Sequence, residues 1–188
     1  AMSFALLDKK VLIIELDIRK PKISEFLSMS NETGITMYLA GHLEKEELIK
    51  PSGLNPNLFV INSGPIPPNP SELLSKPNLD ELIANLKSKF DFIIVDTAPV
   101  GVVSDSFLLN RIADVNLYIV RSGYTPKKYI EEAITYSEEK RLKKMYFVLN
   151  AVDITSSTYK YGYGRKYGYG YGNTNKKNWK HRITQKKR

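Results

Sequence analysis

Nine residues near the amino end, Val11 to Arg19 (VLIIELDIR), constrain the fold more than any other stretch. Four consecutive aliphatics suit a strand buried on both faces, as in the centre of a parallel sheet. The charged residues that follow then fall at the strand's carboxyl end, where open α/β sheets place their ligands. Side chains alternate along a strand, so Glu15, Asp17 and Arg19 would share one side if extension persists. Two carboxylates and a guanidinium suit a metal-bound polyphosphate, the acids holding Mg2+ and the arginine gripping phosphate. The same residues also suit a buried strand that runs into a charged surface loop, since charged strand ends are common.

A second run narrows the choice. Phe92 to Asp96 (FIIVD) reads as another buried strand ending in an acid, followed by Thr97-Ala98-Pro99. Nucleotide-hydrolysing α/β folds use such an acid to orient Mg2+ through its water shell. The two runs are expected to be neighbouring strands that bring Asp17 and Asp96 to one rim.

The rest of the chain alternates helix and strand. Ala1 to Leu7 reads as the end of a helix, and Lys20-Pro21 breaks the first strand. Ile23 to Met29 and Ile35 to Ala40 suit short helices, with Gly41 as a stop. Asn57 to Asn62 reads as a strand. Ser71 suits a helix cap, Pro77 an interruption, and Leu79, Leu82, Ile83 and Leu86 the apolar stripe of an amphipathic helix. Phe107 to Ile112 is predicted helical, Val115 to Val120 a strand, Pro126 to Leu142 a helix and Tyr146 to Asn150 the last strand. That alternation predicts an α/β fold with a doubly wound, mainly parallel sheet.

At 188 residues with a formal charge of +8, the chain suggests nucleic-acid binding until the charge is located. Ten Lys or Arg and no acids lie between Tyr159 and Arg188, leaving 18 bases against 20 acids in the other 158 residues. A slightly acidic body carries a basic tail. Cysteine is absent, so disulfides and thiolate metal sites are excluded. No apolar run reaches the roughly 20 residues that span a bilayer, and His42 and His181 lie too far apart in sequence to suggest a metal site. Beyond Thr158, YKYGYGRKYGYGYG has no aliphatic anchor and reads as disordered.

Taken together, the ELDIR strand, the Asp96 strand and the tyrosine tail resemble the bacterial tyrosine kinases of capsule and exopolysaccharide synthesis. These are relatives of the deviant P-loop ATPases of the cell-division and partition type. Three aliphatics followed by D-x-D-x-R line up with Glu15, Asp17 and Arg19, and an aliphatic run ending in D-T-P-P lines up with Asp96 to Pro99. SGPIPPNPSELL (Ser63 to Leu74), VSDSFLLNRIAD (Val103 to Asp114) and the strand ending at Arg121 also match the family. Two departures stand out. Glu15 replaces the family's Asp, and no glycine-rich phosphate loop ending in G-K-[ST] occurs in the 188 residues. Its place is ahead of the helix that Ala1 to Leu7 would finish, so the expectation is a fragment of a longer protein, with weak ATP binding and no autophosphorylation by itself.

The resemblance implies phosphoryl transfer from ATP, with Mg2+, to tyrosine. Asp17 and Asp96 would hold the metal and its waters, and Glu15 would accept the tyrosine proton or support the metal. Arg19 would serve phosphate or sheet-edge structure, and Asn150 would read adenine or end a strand. Residues 1–158 would form the kinase domain and residues 159–188 the tail. Tyr159, Tyr161, Tyr163, Tyr167, Tyr169 and Tyr171 would be phosphoacceptors. A homo-oligomeric ring with trans-phosphorylation, a membrane activator fused or separate, a cognate phosphatase and a place at the cytoplasmic face of the inner membrane complete what is implied, with no nucleic acid. The tail's rings and bases also suit single-strand nucleic acid or an inert solvated segment. A partition or septum-site switch ATPase is the competing class; it shares the acid-ended strands but has no need of a tyrosine cluster.

Overall fold

The computed structural model describes residues 1–101, 103 and 105–153; the tyrosine cluster, and with it the expected disorder of the tail, lies outside them. In chain order the elements begin with α1 (Met2–Ala5), β1 (Val11–Glu15), α2 (Ile23–Phe26) and α3 (Ile35–Ala40). A 3-10 turn at Lys45–Glu47 leads to β2 (Lys50–Pro51) and β3 (Leu58–Ile61). Then follow α4 (Pro70–Ser75), α5 (Pro77–Lys87), β4 (Phe92–Asp96), α6 (Asp105–Leu109), β5 (Asn116–Arg121), α7 (Lys127–Glu138) and β6 (Met145–Asn150).

β1 runs through the centre of a four-stranded sheet of order β2-β3-β1-β4. It pairs in parallel with β3 on one side and β4 on the other, in a register that sets Glu15 opposite Asp96. The chain visits β3 first and then crosses to β4, so β1 is the point at which strand order reverses. Ligands of open α/β sheets bind in the crevice at such a point. The short antiparallel β2, which the sequence pattern did not reveal, makes the sheet mixed.

The burial of β1 follows from its composition. Leu12 and Ile14, both wholly buried, face the main core with Leu39, Leu74, Leu79 and Leu86. Val11 faces a smaller cluster with Ala5 and Leu58, and Ile13 and Ile94 pack against it. Leu79, Leu82, Ile83 and Leu86 of α5 are buried, as their spacing predicts. Gly41, with φ of 83°, ends α3 in the left-handed conformation that only glycine adopts without strain.

Three expectations need correction. Phe92–Asp96 is half-buried rather than buried, because among the described residues β4 pairs on one edge only. β5 and β6 form a separate two-stranded parallel sheet in which Leu117, Ile119, Tyr146 and Leu149 are exposed, rather than extending the main one. Ser71 does not cap a helix. Asn69 precedes α4 with Pro70 at its first position, so Ser71 lies inside the first turn with its hydroxyl free for a tertiary contact.

The loop between α2 and α3 is held against the end of β3 by close backbone approach. A Cβ at Gly34 would overlap Gly64 N and Asn62 O, and Asn31 accepts from Gly64 N–H (2.9 Å) while donating to Gly64 O (2.9 Å). Backbone cannot yield as a side chain does, so Gly34→Ala is expected to lower stability by about 1–3 kcal/mol, the usual range for overpacking. The midpoint of urea unfolding measures it; an unchanged midpoint would show that the two loops separate freely.

Candidate active site

The carboxyl ends of β1 and β4 form the rim of the crevice. Strand pairing continues one step past β1, with Leu16 N–H donating to Asp96 O at 2.8 Å. Extension then stops. Asp17 Oδ1 accepts from the backbone N–H groups of Arg19 (3.3 Å) and Lys20 (3.1 Å), a side-chain-to-backbone turn that redirects the chain. Glu15, Asp17 and Arg19 therefore do not lie along one side of a strand: Glu15 is buried, while Asp17 and Arg19 are half-exposed.

Glu15 has no exposed surface. Its Oε1 accepts from the backbone N–H groups of Lys22 (2.6 Å) and Ile23 (2.5 Å), and its Oε2 from Ser24 Oγ (2.7 Å) and Ser63 N–H (3.2 Å). Burial opposes its ionisation. The hydrogen bonds from Ser24, Ile23, Ser63 and Lys22 together outweigh it and hold the carboxyl below its ordinary value. Four donors match the acceptor capacity of an ionised carboxylate, so Glu15 joins β1 to α2 and to the end of β3.

Asp17 and Asp96 differ from it. Asp17 Oδ2 and both Asp96 oxygens take no hydrogen bond among the described residues, although Asp96 stands at the exposed tip of β4. The Asp96 carboxyl is pushed above its ordinary value, first by desolvation among the strand ends and then by the charges of Asp17 and Glu15. Mutual repulsion with unused lone pairs is what a divalent cation relieves, so these two acids fit Mg2+. No group of three or more His, Asp or Glu among the described residues forms a protein-only metal cage. Mg2+ does not need one, since it commonly takes one or two carboxylates together with water and substrate phosphates.

Arg19 turns away from that pair. Its Nε and Nη2 donate to Asp105 at 2.6 and 3.2 Å, and Nη2 also donates to Ser71 Oγ at 3.0 Å. The arginine's hydrogen bond and charge, with a hydrogen bond from Ser71, hold the buried Asp105 carboxyl below its ordinary value. Asp105 was missed from sequence; the matching of VSDSFLLNRIAD was its only signal. Asn150 ends β6 opposite Arg121, and its Oδ1 accepts from Ala151 N–H at 2.8 Å. No hydrogen bond links it to Asp17 or Asp96.

A pair of acids at the switch point of a mainly parallel sheet belongs to an α/β fold of the P-loop ATPase type, and comparison with known proteins narrows this. No family model matches the chain. The tyrosine-protein kinase CpsD of Streptococcus pneumoniae is 35% identical over 160 residues, which cover 85% of this chain and 70% of CpsD. The tyrosine-protein kinase ptk of Acinetobacter johnsonii is 36% identical over 152 residues, 81% of this chain but 21% of ptk, so the chain spans about a fifth of that relative. Among solved structures, the kinase domain of the Escherichia coli tyrosine kinase ETK superposes with a TM-score of 0.76 at 33% identity, covering 86% of this chain and 63% of that one. The cell-division protein MinD of Aquifex aeolicus shares the fold alone, at 18% identity and a TM-score of 0.62 over 81% of this chain and 60% of its own. The chain belongs to the bacterial tyrosine-kinase family.

Glu15 and Asp105 both ionise more readily in the folded chain than unfolded. Their contributions are present above the ordinary carboxylate values, 4.5 and 3.8, and are lost as pH falls through the lower folded ones. Glu15→Gln replaces an acceptor with a donor facing backbone N–H groups. It is expected to lose about 1–3 kcal/mol at pH 7 and to flatten the decline in stability below pH 4.5. Urea titrations from pH 7 to pH 3 measure both; an acid limb as steep as wild type would remove Glu15 from the account.

Proposed function

We propose that the protein is an ATP-dependent protein-tyrosine kinase that phosphorylates tyrosines of its own tail in the control of capsular or extracellular polysaccharide synthesis. One observation carries the reading: the parallel register of β1 and β4 gathers Asp17 and Asp96 at the switch point with lone pairs unused. In the reaction, a tyrosine Oη forms a bond to the γ-phosphorus of ATP as the bond to ADP breaks, and the phenolic proton leaves to solvent water. Asp17 and Asp96 would hold Mg2+, which when bound would supply neutralisation of charge on the phosphate oxygens. Glu15 was expected to accept the tyrosine proton or support the metal; with both oxygens saturated by four donors, it is read instead as keeping the crevice wall in place. Asn150 faces adenine in this reading. Arg19 orients the Asp17 turn.

Tyr159, Tyr161, Tyr163, Tyr167, Tyr169 and Tyr171 are the proposed acceptors, spaced by glycine and bases at the start of a tail, residues 159–188, that carries ten positive charges. Six phosphates would add about −9 to −12 charges, enough to cancel or reverse that charge. The reading extends to a ring of subunits that phosphorylate one another's tails, an activator in the membrane, a cognate phosphatase and a site of action at the cytoplasmic face of the inner membrane. A switch ATPase is the second reading. The sequence identity to tyrosine kinases, well above that to MinD, favours the first.

Incubation of the protein, as the cell makes it, with Mg-ATP is expected to produce phosphotyrosine mapping to residues 159–171. Asp17→Asn and Asp96→Asn are each expected to lower it by about 10²-fold or more, as removal of a metal-holding carboxylate should exceed outer-shell effects. ATP hydrolysis with no phosphotyrosine would favour the switch ATPase. A six-fold Tyr→Phe tail is expected to keep the assembly at one size by light scattering whether or not ATP is supplied, whereas the phosphorylated wild type dissociates. Equal sizes in both would remove tail charge as the control on association.

A further inference from the structure

The amino end of α6 touches both loops that carry the rim acids. Asp105, the first residue of α6, is buried and accepts from Arg19 Nε and Nη2 at 2.6 and 3.2 Å. Arg19 N–H in turn donates to Asp17 Oδ1 at 3.3 Å, so the arginine joined to Asp105 through its side chain is joined to Asp17 through its backbone. The next residue, Ser106, is buried too, and its Oγ donates to Ala98 O at 2.6 Å. Ala98 lies two residues past Asp96. Ser71 of α4 closes the cluster from a third side, donating to Asp105 Oδ1 at 2.7 Å and accepting from Arg19 Nη2 at 3.0 Å.

We propose that Asp105 and Ser106 form a two-pronged clamp, braced by Ser71, that fixes Asp17 relative to Asp96 for metal binding; they are positioning residues and touch neither metal nor substrate. The inference deepens the kinase reading and rests on it for the metal. Its physical basis is the contrast between the two halves of the site. The rim acids repel one another, so nothing in their own interaction holds them at a distance suited to one cation. The clamp supplies that restraint from outside, through a two-point Arg–carboxylate contact whose planar fork fixes direction as well as distance. It also gives the SGPIPPNPSELL and VSDSFLLNRIAD segments a shared purpose, since Ser71 comes from one and Asp105 and Ser106 from the other. Arg19, with its side chain about two-fifths exposed, has water available as an alternative partner. Loss of the Asp105 charge therefore need not unfold the chain.

The experiment uses the protein as the cell makes it and measures Mn2+ binding in the presence of a non-hydrolysable ATP analogue by electron paramagnetic resonance, together with kinase kinetics and thermal melting. Asp105→Asn and Ser106→Ala are each expected to weaken Mn2+ binding about tenfold, in the range for residues that orient metal-holding groups. Turnover is expected to fall with the Mg2+ requirement raised, while KM for ATP at saturating Mg2+ stays within about twofold. Asp105→Glu is expected to recover part of the metal affinity by keeping the charge, and the Asp105→Asn, Arg19→Lys double variant to be no worse than the poorer single. Unchanged Mn2+ affinity in Asp105→Asn and Ser106→Ala would overturn the clamp, as would losses that track melting temperature alone. If wild type binds Mn2+ yet makes no phosphotyrosine, the kinase reading falls and the clamp is judged on the Mn2+ affinities. If wild type binds no Mn2+ with nucleotide, both fall.

Discussion

The parallel pairing of β1 with β4 is the constraint on which the rest of the structure depends. β1 can sit between two strands only because its four aliphatics tolerate burial on both faces. Once there, its register places Glu15 beside Asp96, and the first polar residues after the strand open at the point where strand order reverses. Electrostatics alone would separate these acids. Backbone hydrogen bonding, which continues to Leu16 N–H and Asp96 O, brings them together regardless. Desolvation, and after it the repulsion left over, hold the Asp96 carboxyl above its ordinary value, and that repulsion is the property that a cation would use.

Three acids at one rim take three separate roles because their surroundings differ. Glu15 is enclosed and saturated by four donors, so its charge is spent on holding α2 and the end of β3. Asp17 shapes a turn with one oxygen and leaves the other without a hydrogen bond among the described residues. Asp96 has neither oxygen bonded in that way. The extra methylene of Glu15, relative to the family's Asp, is consistent with this division, since a longer side chain reaches the N–H groups of Lys22 and Ile23 beyond the strand end.

Membership of the tyrosine-kinase family rests on identity spread across most of the chain, and the shared fold with MinD shows how little the sheet alone specifies. Both share strands ending at a common rim. The sequence features expected to separate the two readings are SGPIPPNPSELL (Ser63 to Leu74) and the tyrosines at 159–171. The first of these, through Ser71, meets Asp105 of VSDSFLLNRIAD at the Arg19–Asp105–Ser71 cluster. A loop signature with no evident chemistry of its own thus has a structural reason to exist.

Local sequence was enough to identify β1, β4, the boundary at Pro77, the stop at Gly41 and the buried stripe of α5, because burial periodicity, proline geometry and positive φ are set within a few residues. It was also enough to expect Asp17 and Asp96 at one rim, since an acid at the end of an apolar run is a local pattern. What lay beyond it was decided by contacts between distant residues. The pairing of Arg19 with Asp105 spans 86 positions and that of Glu15 with Ser63 spans 48. The edge of β4 that has no partner among the described residues, the antiparallel β2 and the separate β5–β6 pair are likewise properties of how strands meet. A sequence lists the donors and acceptors of a carboxylate such as Glu15, but whether it faces a substrate or four backbone and hydroxyl donors is fixed only when the chain has closed around it.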